Sequence, residues 1–280
     1  MEDKTDIVRK KLQKTELDIL KSIDSVCSSL NIQYFLIGGS LLGAVRHKGF
    51  IPWDDDIDIG MRRPDYERFV KNAQNLLPQN LFVQYLETEK KYPNIFAKIR
   101  NSKTTFIEET SKKIKMNHGV YVDVFPFDFY PNNIIKRKIL AVKLIIMSHS
   151  IYNAFSLNVK RKSFLGRVAG IISKVIYPNY TKAVAAKNKL LLSQRPSMVI
   201  RNYGGAWGEK EIFPVNFFEK FIKMPFEDGE FWVPSMYHEI LTQMYGDYMT
   251  PPPVEKRCTH HYTDIIDLDK PYTDFFNNED

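Results

Sequence analysis

The apolar positions Ile7, Leu17, Leu20, Ile23, Val26 and Leu30 recur at near-helical spacing among charges, which predicts an amphipathic helix over about 6–30. Asn31 is placed to end it. Tyr34-Phe-Leu-Ile37 is then a short apolar run stopped by Gly38-Gly39, and Ser40 offers an N-cap to a helix Leu41–Arg46. The segment therefore reads strand, glycine turn, helix. Asp56-Ile-Asp-Ile-Gly60 alternates charged and apolar residues with a strand's period of two, and Pro64 opens a helix to about Leu77. Further strands are expected at Leu81–Leu86, Ile95–Arg100 and Val120–Phe125. From about Pro131 to Leu192 the pattern turns helical and basic. Phe213–Pro234 reads as a loop with short strands, Pro234–Tyr245 as a last helix, and Pro251-Pro-Pro253 closes regular structure before an acidic tail, Asp264–Asp280, that wraps back or frays. No internal repeat is present. Three parts follow: a core over 1–130, a basic helical subdomain over 131–205, and a C-terminal segment, 206–280, packing back on the core and completing the cleft.

At 280 residues, 44% hydrophobic and 26% charged, the chain can bury a sizeable core, and wholesale disorder is excluded. Its two cysteines, Cys27 and Cys258, specify neither a disulfide framework nor a four-thiolate zinc site. Lys143 and Arg167 interrupt the two most apolar stretches, so a spanning helix is not expected, and the first residues lack the apolar region of a secretory signal. The expected location is the cytoplasm or the inner face of the cell membrane. Charge is uneven: between Asp128 and Glu209 stand fourteen Lys and Arg and no Asp or Glu, whereas the rest carries 26 basic against 33 acidic residues, net −7. Such a block suits a polyanion, whether nucleic acid, an anionic membrane or a phosphorylated substrate. Ile139–Ile151 and Phe164–Tyr177 admit two readings, core helices with solvated lysines or basic amphipathic helices lying on a bilayer through 136–189.

Chemistry concentrates in Trp53-Asp54-Asp55-Asp56-Ile57-Asp58-Ile59. Four carboxylates within five residues repel one another unless a cation neutralises them. On a strand, Asp56 and Asp58 project to one face about 6.5–7 Å apart, from which both reach one hard cation, and Asp54 shares their parity. Oxygen ligands without His or Cys point to Mg²⁺ or Mn²⁺. The alternative for an Asp run is a solvated turn, against which stand the flanking apolar Ile57 and Ile59. Asp123, in the apolar run Val120-Tyr-Val-Asp-Val-Phe125, is costly to bury unless paired or liganded. Gly38-Gly39-Ser40, at a helix N-terminus, could hold a phosphate on backbone N–H groups. Nucleophile-elbow, Walker A, Cys-x-x-Cys and His-Glu-x-x-His motifs are absent.

This ordered constellation resembles the nucleotidyltransferase fold, and Gly38-Gly-Ser-Leu-Leu-Gly-Ala-Val-Arg-His-Lys-Gly-Phe-Ile-Pro-Trp-Asp-Asp-Asp-Ile-Asp-Ile59 resembles the signature of the LicD family of phosphocholine transferases, which includes fukutin-related proteins. Similarity continues in Ala97-Lys-Ile-Arg100 with Thr104, Val122-Asp-Val-Phe-Pro126, Met244-Tyr-Gly-Asp-Tyr-Met249, Pro252-Pro253 and His260-His261. The resemblance implies an α+β fold, a nucleotidyltransferase-like mixed sheet flanked by helices, with the basic helical subdomain inserted. It also implies transfer of a phospho-substituted alcohol, usually phosphocholine from CDP-choline, onto a hydroxyl of a cell-surface glycan or its lipid-linked precursor, with no nucleic-acid partner. Carried onto this chain, Asp56 and Asp58 ligate the metal, and Asp123 completes the site as ligand or as base. Arg46, His47 and Lys48 steady the donor diphosphate, and Lys98 or Arg100 meets charge developing in the transition state; each of these also has a plain surface-ion-pair reading. His260-His261 reads as substrate contact or structure. A choline cargo asks for aromatic faces, for which Trp53, Trp207, Trp232 and Tyr245 are available. Transfer of ribitol or glycerol phosphate, nucleotidyl transfer releasing pyrophosphate, and a non-catalytic polyanion binder are the competing expectations.

Overall fold

The computed structural model describes residues 4–154, 164–258, 263 and 265–276; His260 and His261 lie outside them. Helix α1 (Lys4–Ser29) buries Leu12, Ile19, Leu20 and Ile23 along one stripe. It stops where Asn31 takes a φ of 50° and the Ile32 N–H returns to the Cys27 carbonyl. Strand β1 (Tyr34–Leu36) is buried throughout, and helix α2 (Gly38–His47) starts almost at once. Gly38 and Gly39 are the first turn of that helix rather than a turn before it. Ile37 is the N-cap, and Ser40 sits inside the turn with its buried hydroxyl accepting the Asp58 N–H at 2.9 Å, so the expected Ser40 cap is corrected.

Strand β2 (Asp58–Arg62) begins two residues later than the alternation predicted, leaving Asp54–Asp56 as irregular backbone before it. Helix α3 (Arg63–Asn72), with Pro64 in its first turn, ends in a 3₁₀ turn, Ala73–Asn75. Strands β3 (Leu81–Gln84), β4 (Ala97–Asn101), β5 (Thr105–Ile107) and β6 (Val120–Phe129) follow. Helices α4 (Ile134–Ala154), α5 (Phe164–Ile176) and α6 (Tyr180–Leu192) form the basic layer. Then come β7 (Val199–Asn202), β8 (Ile212–Pro214), a hairpin of β9 (Phe221–Phe226) and β10 (Gly229–Pro234), helix α7 (Tyr237–Tyr245), β11 (Ile265–Asp267) and the short α8 (Thr273–Phe276).

The main sheet runs β1-β2-β6-β4-β3, with β7 and then β8 added beside the far half of β6. That extra partner is why β6 runs four residues beyond its expected end. Among the described residues β2 and β6 form the one parallel pair, so the sheet is mixed, as expected. The tail wraps back: β11 pairs antiparallel with β5, the Thr105 hydroxyl donates to the Lys270 carbonyl, and the Tyr272 N–H donates to the Thr104 carbonyl.

One core joins α1, α2, α3, the sheet and the hairpin, and Phe35 lies at its centre with ring centroids of Phe127 and Phe218 5.2 and 4.9 Å away. The helical layer has its own cluster, Ile95, Val184 and Leu191, and joins the main core through Phe96. No helix among the described residues is long and apolar enough to cross a membrane.

Candidate active site

Register carries the site. Asp58 pairs with Asp123 across β2 and β6, Asp123 with Lys98 across β6 and β4, and Lys98 with Gln84 across β4 and β3. Directly paired residues project to one face of a sheet, so two carboxylates, an ammonium and an amide form a transverse row. The next row on that face holds Tyr121 and Arg100. Lys98, 2% exposed, lies 3.0 Å from Asp123 Oδ1 and 3.6 Å from Glu108 Oε1, with its Nζ 3.3 Å above the Tyr121 ring. Arg100 is fully buried, and each of its three guanidinium nitrogens donates within the protein. Nε meets Gln84 Oε1 at 2.6 Å, Nη1 the Gly119 carbonyl at 2.7 Å and Nη2 Glu108 Oε2 at 3.1 Å.

Asp58 is held from both sides by its backbone. Its N–H donates to Ser40 Oγ, and its carbonyl accepts the Ile37 N–H at 3.1 Å. Asp123 is tied to the residue before β2 by its N–H to the Ile57 carbonyl at 3.0 Å. Burial pushes the Asp58 carboxyl well above its ordinary range; Asp56, Asp123 and Asp54 push it further, and Lys98 pulls back. Oxygens of Asp54, Asp55 and Asp56 gather within 4.8 Å of one another.

The glycines explain how these acids approach α2. An ideal Cβ on Gly39 would lie 2.5 Å from Asp54 Oδ2, and one on Gly38, whose φ is +55°, 3.3 Å from Asp58 Oδ2. Absent side chains let both carboxylates sit against the positive end of the helix. Helix α1 clamps the acidic segment from outside: Gln13 Nε2 donates to the Asp54 carbonyl at 2.8 Å and Arg9 Nη1 to the Pro52 carbonyl at 3.2 Å. One turn on, Glu16 is 2% exposed with no partner for Oε2, and its carboxyl is raised by burial and then by Asp56, Asp55, Asp54 and Asp58. Sequence reasoning missed Glu16 and Glu108. The signal for Glu16 was its place on the apolar stripe, four residues after Leu12 and three before Ile19; nothing local marks Glu108.

A cationic and aromatic wall lies at the other end of α2, about 12 Å from Gly38 along the axis at 1.5 Å per residue. Arg46 donates Nε to His47 Nε2 at 2.9 Å and Nη1 to the Tyr248 carbonyl at 2.7 Å. Burial and then Arg46 lower the His47 pKa, which favours the neutral ring. Lys48 caps the helix in the left-handed conformation with its side chain exposed. Trp53 sits edge-on to His47 at 6.4 Å and under the Arg257 guanidinium at 5.1 Å. Tyr245 is T-shaped to Trp207 at 4.9 Å, and burial first, then Asp58 and Asp54, raise its hydroxyl pKa. Trp232 is elsewhere, on β10 under the Lys223 ammonium.

The acids and Lys98 thus gather at the start of α2, and Arg46, His47 and Lys48 stand at its end. A sheet whose central strands carry paired carboxylates beside a Gly-Gly-Ser helix start is a nucleotidyltransferase-like architecture. Residues 31–167 match the family described as LicD/FKTN/FKRP, nucleotidyltransferase domain. The chain is 34% identical over 255 residues to the lipopolysaccharide cholinephosphotransferase LicD of Haemophilus influenzae, covering 88% of this chain and 92% of that protein. It is 31% and 32% identical over 117 residues to the mouse and human ribitol 5-phosphate transferases FKRP, covering 40% of this chain and 20% of each of them. The chain belongs to the LicD family and is an enzyme, a phosphotransferase.

Proposed function

We propose that the protein transfers phosphocholine from CDP-choline to a hydroxyl of a cell-surface glycan or its lipid-linked precursor, with Mg²⁺ or Mn²⁺ bound by Asp56, Asp58 and Asp123. One observation carries the reading: Asp58 and Asp123 are register partners on adjacent strands, next to the gathered Asp54–Asp56, in a chain alignable over 92% of a cholinephosphotransferase. Every oxygen in the set is a carboxylate, as a hard divalent cation prefers, burial and then the neighbouring carboxylates raise Asp58, a cost such an ion relieves, and the oxygens already converging within 4.8 Å are those of Asp54, Asp55 and Asp56. When bound, the cation would neutralise charge on the transferring phosphate.

The chain's own residues do the rest. Gly38, Gly39 and Ser40 set the helix start from which phosphate oxygens meet backbone N–H groups, and Arg46, His47 and Lys48 with Trp53 receive the nucleotide end of an extended donor. The acceptor oxygen bonds to the phosphorus carrying choline, the bond to CMP breaks, and the hydroxyl proton passes to the Asp123 carboxylate where Asp123 serves as the base instead of the third ligand. Lys98, fixed between Asp123 and Glu108, faces the charge that develops on the phosphoryl oxygens. Arg100 acts through Gln84 and Glu108, holding the Lys98 row in register. Tyr245 and Trp207 offer faces to the quaternary ammonium.

The test is mass spectrometry of a glycan acceptor incubated with CDP-choline and Mg²⁺. Phosphocholine addition is expected, and it is lost in Asp56→Ala and Asp58→Ala while the fold persists; activity retained in both variants rejects the metal assignment. The similarity to the ribitol 5-phosphate transferases supports a second cargo, so CDP-ribitol runs in parallel, and pyrophosphate release from a nucleoside triphosphate would instead indicate nucleotidyl transfer.

A further inference from the structure

The proposed reaction leaves the basic helical layer without a task. Helix α4 has two apolar faces. One is buried: Leu140 and Met147 are 4% and 7% exposed, and Leu144 packs on the cluster of Ile95, Val184 and Leu191. The other is open, for Ile135, Ile139, Val142 and Ile145, spaced by four, three and three residues, are 64%, 52%, 56% and 49% exposed. A helix buried on one side ordinarily turns polar residues outward. On α5, which is tied to α4 by Ser150 Oγ donating to the Tyr177 carbonyl, Ala169 and Ser173 face inward while Ile171 and Val175 are 66% and 78% exposed. Exposed Lys136, Lys138, Lys143 and Lys174 interleave with these aliphatic side chains.

We infer that the exposed faces of α4 and α5 dock on an anionic lipid surface. Charge complementarity selects this occupant. Isolated aliphatic side chains would need no explanation, but a repeated stripe on two packed helices does. Fourteen cations and no carboxylate between Asp128 and Glu209 give that stripe a field that repels a second copy of itself and attracts anionic headgroups. Nucleic acid would use the charge and leave the isoleucines in water. A lipid interface uses both, the aliphatic side chains entering the acyl boundary while the lysine stems reach back to the headgroups. Phe96 packs against both the layer's cluster and the main core, so a docked layer stays joined to the sheet that carries Lys98, which, resting on the proposed function, suits a lipid-linked acceptor.

The experiment is flotation of the full chain with phosphatidylcholine vesicles containing about 30 mol% phosphatidylglycerol, against pure phosphatidylcholine, at about 0.1 M salt where surface charge still acts. Wild type is expected to float with the anionic vesicles and to bind neutral ones about tenfold or more weakly, with binding reduced but not abolished at high salt. The variant Ile139→Ser/Val142→Ser/Ile171→Ser/Val175→Ser is expected to lose about tenfold or more of that binding with unchanged melting temperature and unchanged turnover on a soluble acceptor. A second variant, Lys136→Glu/Lys138→Glu/Lys174→Glu, is expected to lose the preference for anionic vesicles. Three outcomes would overturn the inference: no binding to anionic vesicles, equal binding by wild type and the Ser variant, or a wild-type dimer that the Ser variant dissociates. Binding is read without donor or acceptor, so its failure leaves the transferase reading standing, and absence of turnover leaves the docking intact.

Discussion

Replacing Gly39 by alanine adds one carbon to the first turn of α2. That carbon would stand 2.5 Å from Asp54 Oδ2 and 3.6 Å from its Cγ, and outside its own helix it meets no other atom within 4 Å. To reach ordinary contact at 3.4 Å the carboxylate must withdraw by about 0.9 Å. Asp54 is half-buried and can turn, at about 0.5–1.5 kcal/mol for a strained side chain. Alanine returns about 0.5–1 kcal/mol of helix propensity, so the net stability change stays within about 1 kcal/mol. For a chain of this length that is a melting shift of roughly 2–4 °C at most. The same displacement opens the group of carboxylate oxygens now within 4.8 Å of one another, and a misplacement of about 1 Å at a reacting centre costs about 10²-fold in rate. The expectation is a folded protein whose Mn²⁺ affinity, read by titration calorimetry, falls about tenfold or more, and whose turnover of CDP-choline falls about 100-fold. Gly43→Ala is the contrast. Its Cβ would lie 2.4 Å from the Gly49 carbonyl oxygen, a backbone atom that cannot turn aside, so this variant should lose several kcal/mol of stability, as overpacking does. A Gly39→Ala protein with wild-type Mn²⁺ affinity and turnover, or a Gly43→Ala protein as stable as wild type, refutes the reasoning.

Other outcomes follow from single groups. Glu16 is raised in the folded state, so the stability linked to its proton is complete below the ordinary value of 4.5 and is lost as pH climbs through the raised one. Metal-free protein should melt lower at pH 8 than at pH 5, and Glu16→Gln should flatten that slope in calorimetry; an unchanged slope rejects the assignment. Asp128, itself buried, takes Arg63 Nε and Nη2 at 2.6 Å each, and Arg63 also reaches Glu67 at 3.2 Å, so Asp128→Ala removes two charge-assisted hydrogen bonds while leaving one partner and should cost about 1.5–3 kcal/mol in urea unfolding, with a loss under about 1 kcal/mol counting against it. Lys98→Met removes the ammonium between Asp123 and Glu108 and should lower kcat by about 10²–10³ with a smaller change in KM; kinetics like those of wild type would return Lys98 to a packing role.

Local chemistry in the sequence settled much of this protein. Periodicity located α1, α3 and the middle strands to within a few residues, and placed α2 three residues later than its true start at Gly38. It also marked Asp56, Asp58 and Asp123 as acids too costly to leave beside apolar neighbours without a purpose. It misjudged Ser40, because an N-cap is recognised by residue type, whereas here the hydroxyl is claimed by the N–H of Asp58, eighteen residues away. It did not anticipate β5, β7 or β11, strands of three or four residues whose pairing energy comes from distant partners. Register is the part no local pattern encodes. That Asp58 faces Asp123, that Asp123 faces Lys98, and that Arg100 is used up inside the sheet all depend on which residue stands opposite which, and a slip of one position would send every one of these side chains to the other face. Sequence therefore determined which groups could do chemistry, but not always the element that carries them, since Asp56 stands on irregular backbone before β2 and Ser40 inside α2. Folding decided which of them meet, because burial and strand pairing act between residues far apart along the chain.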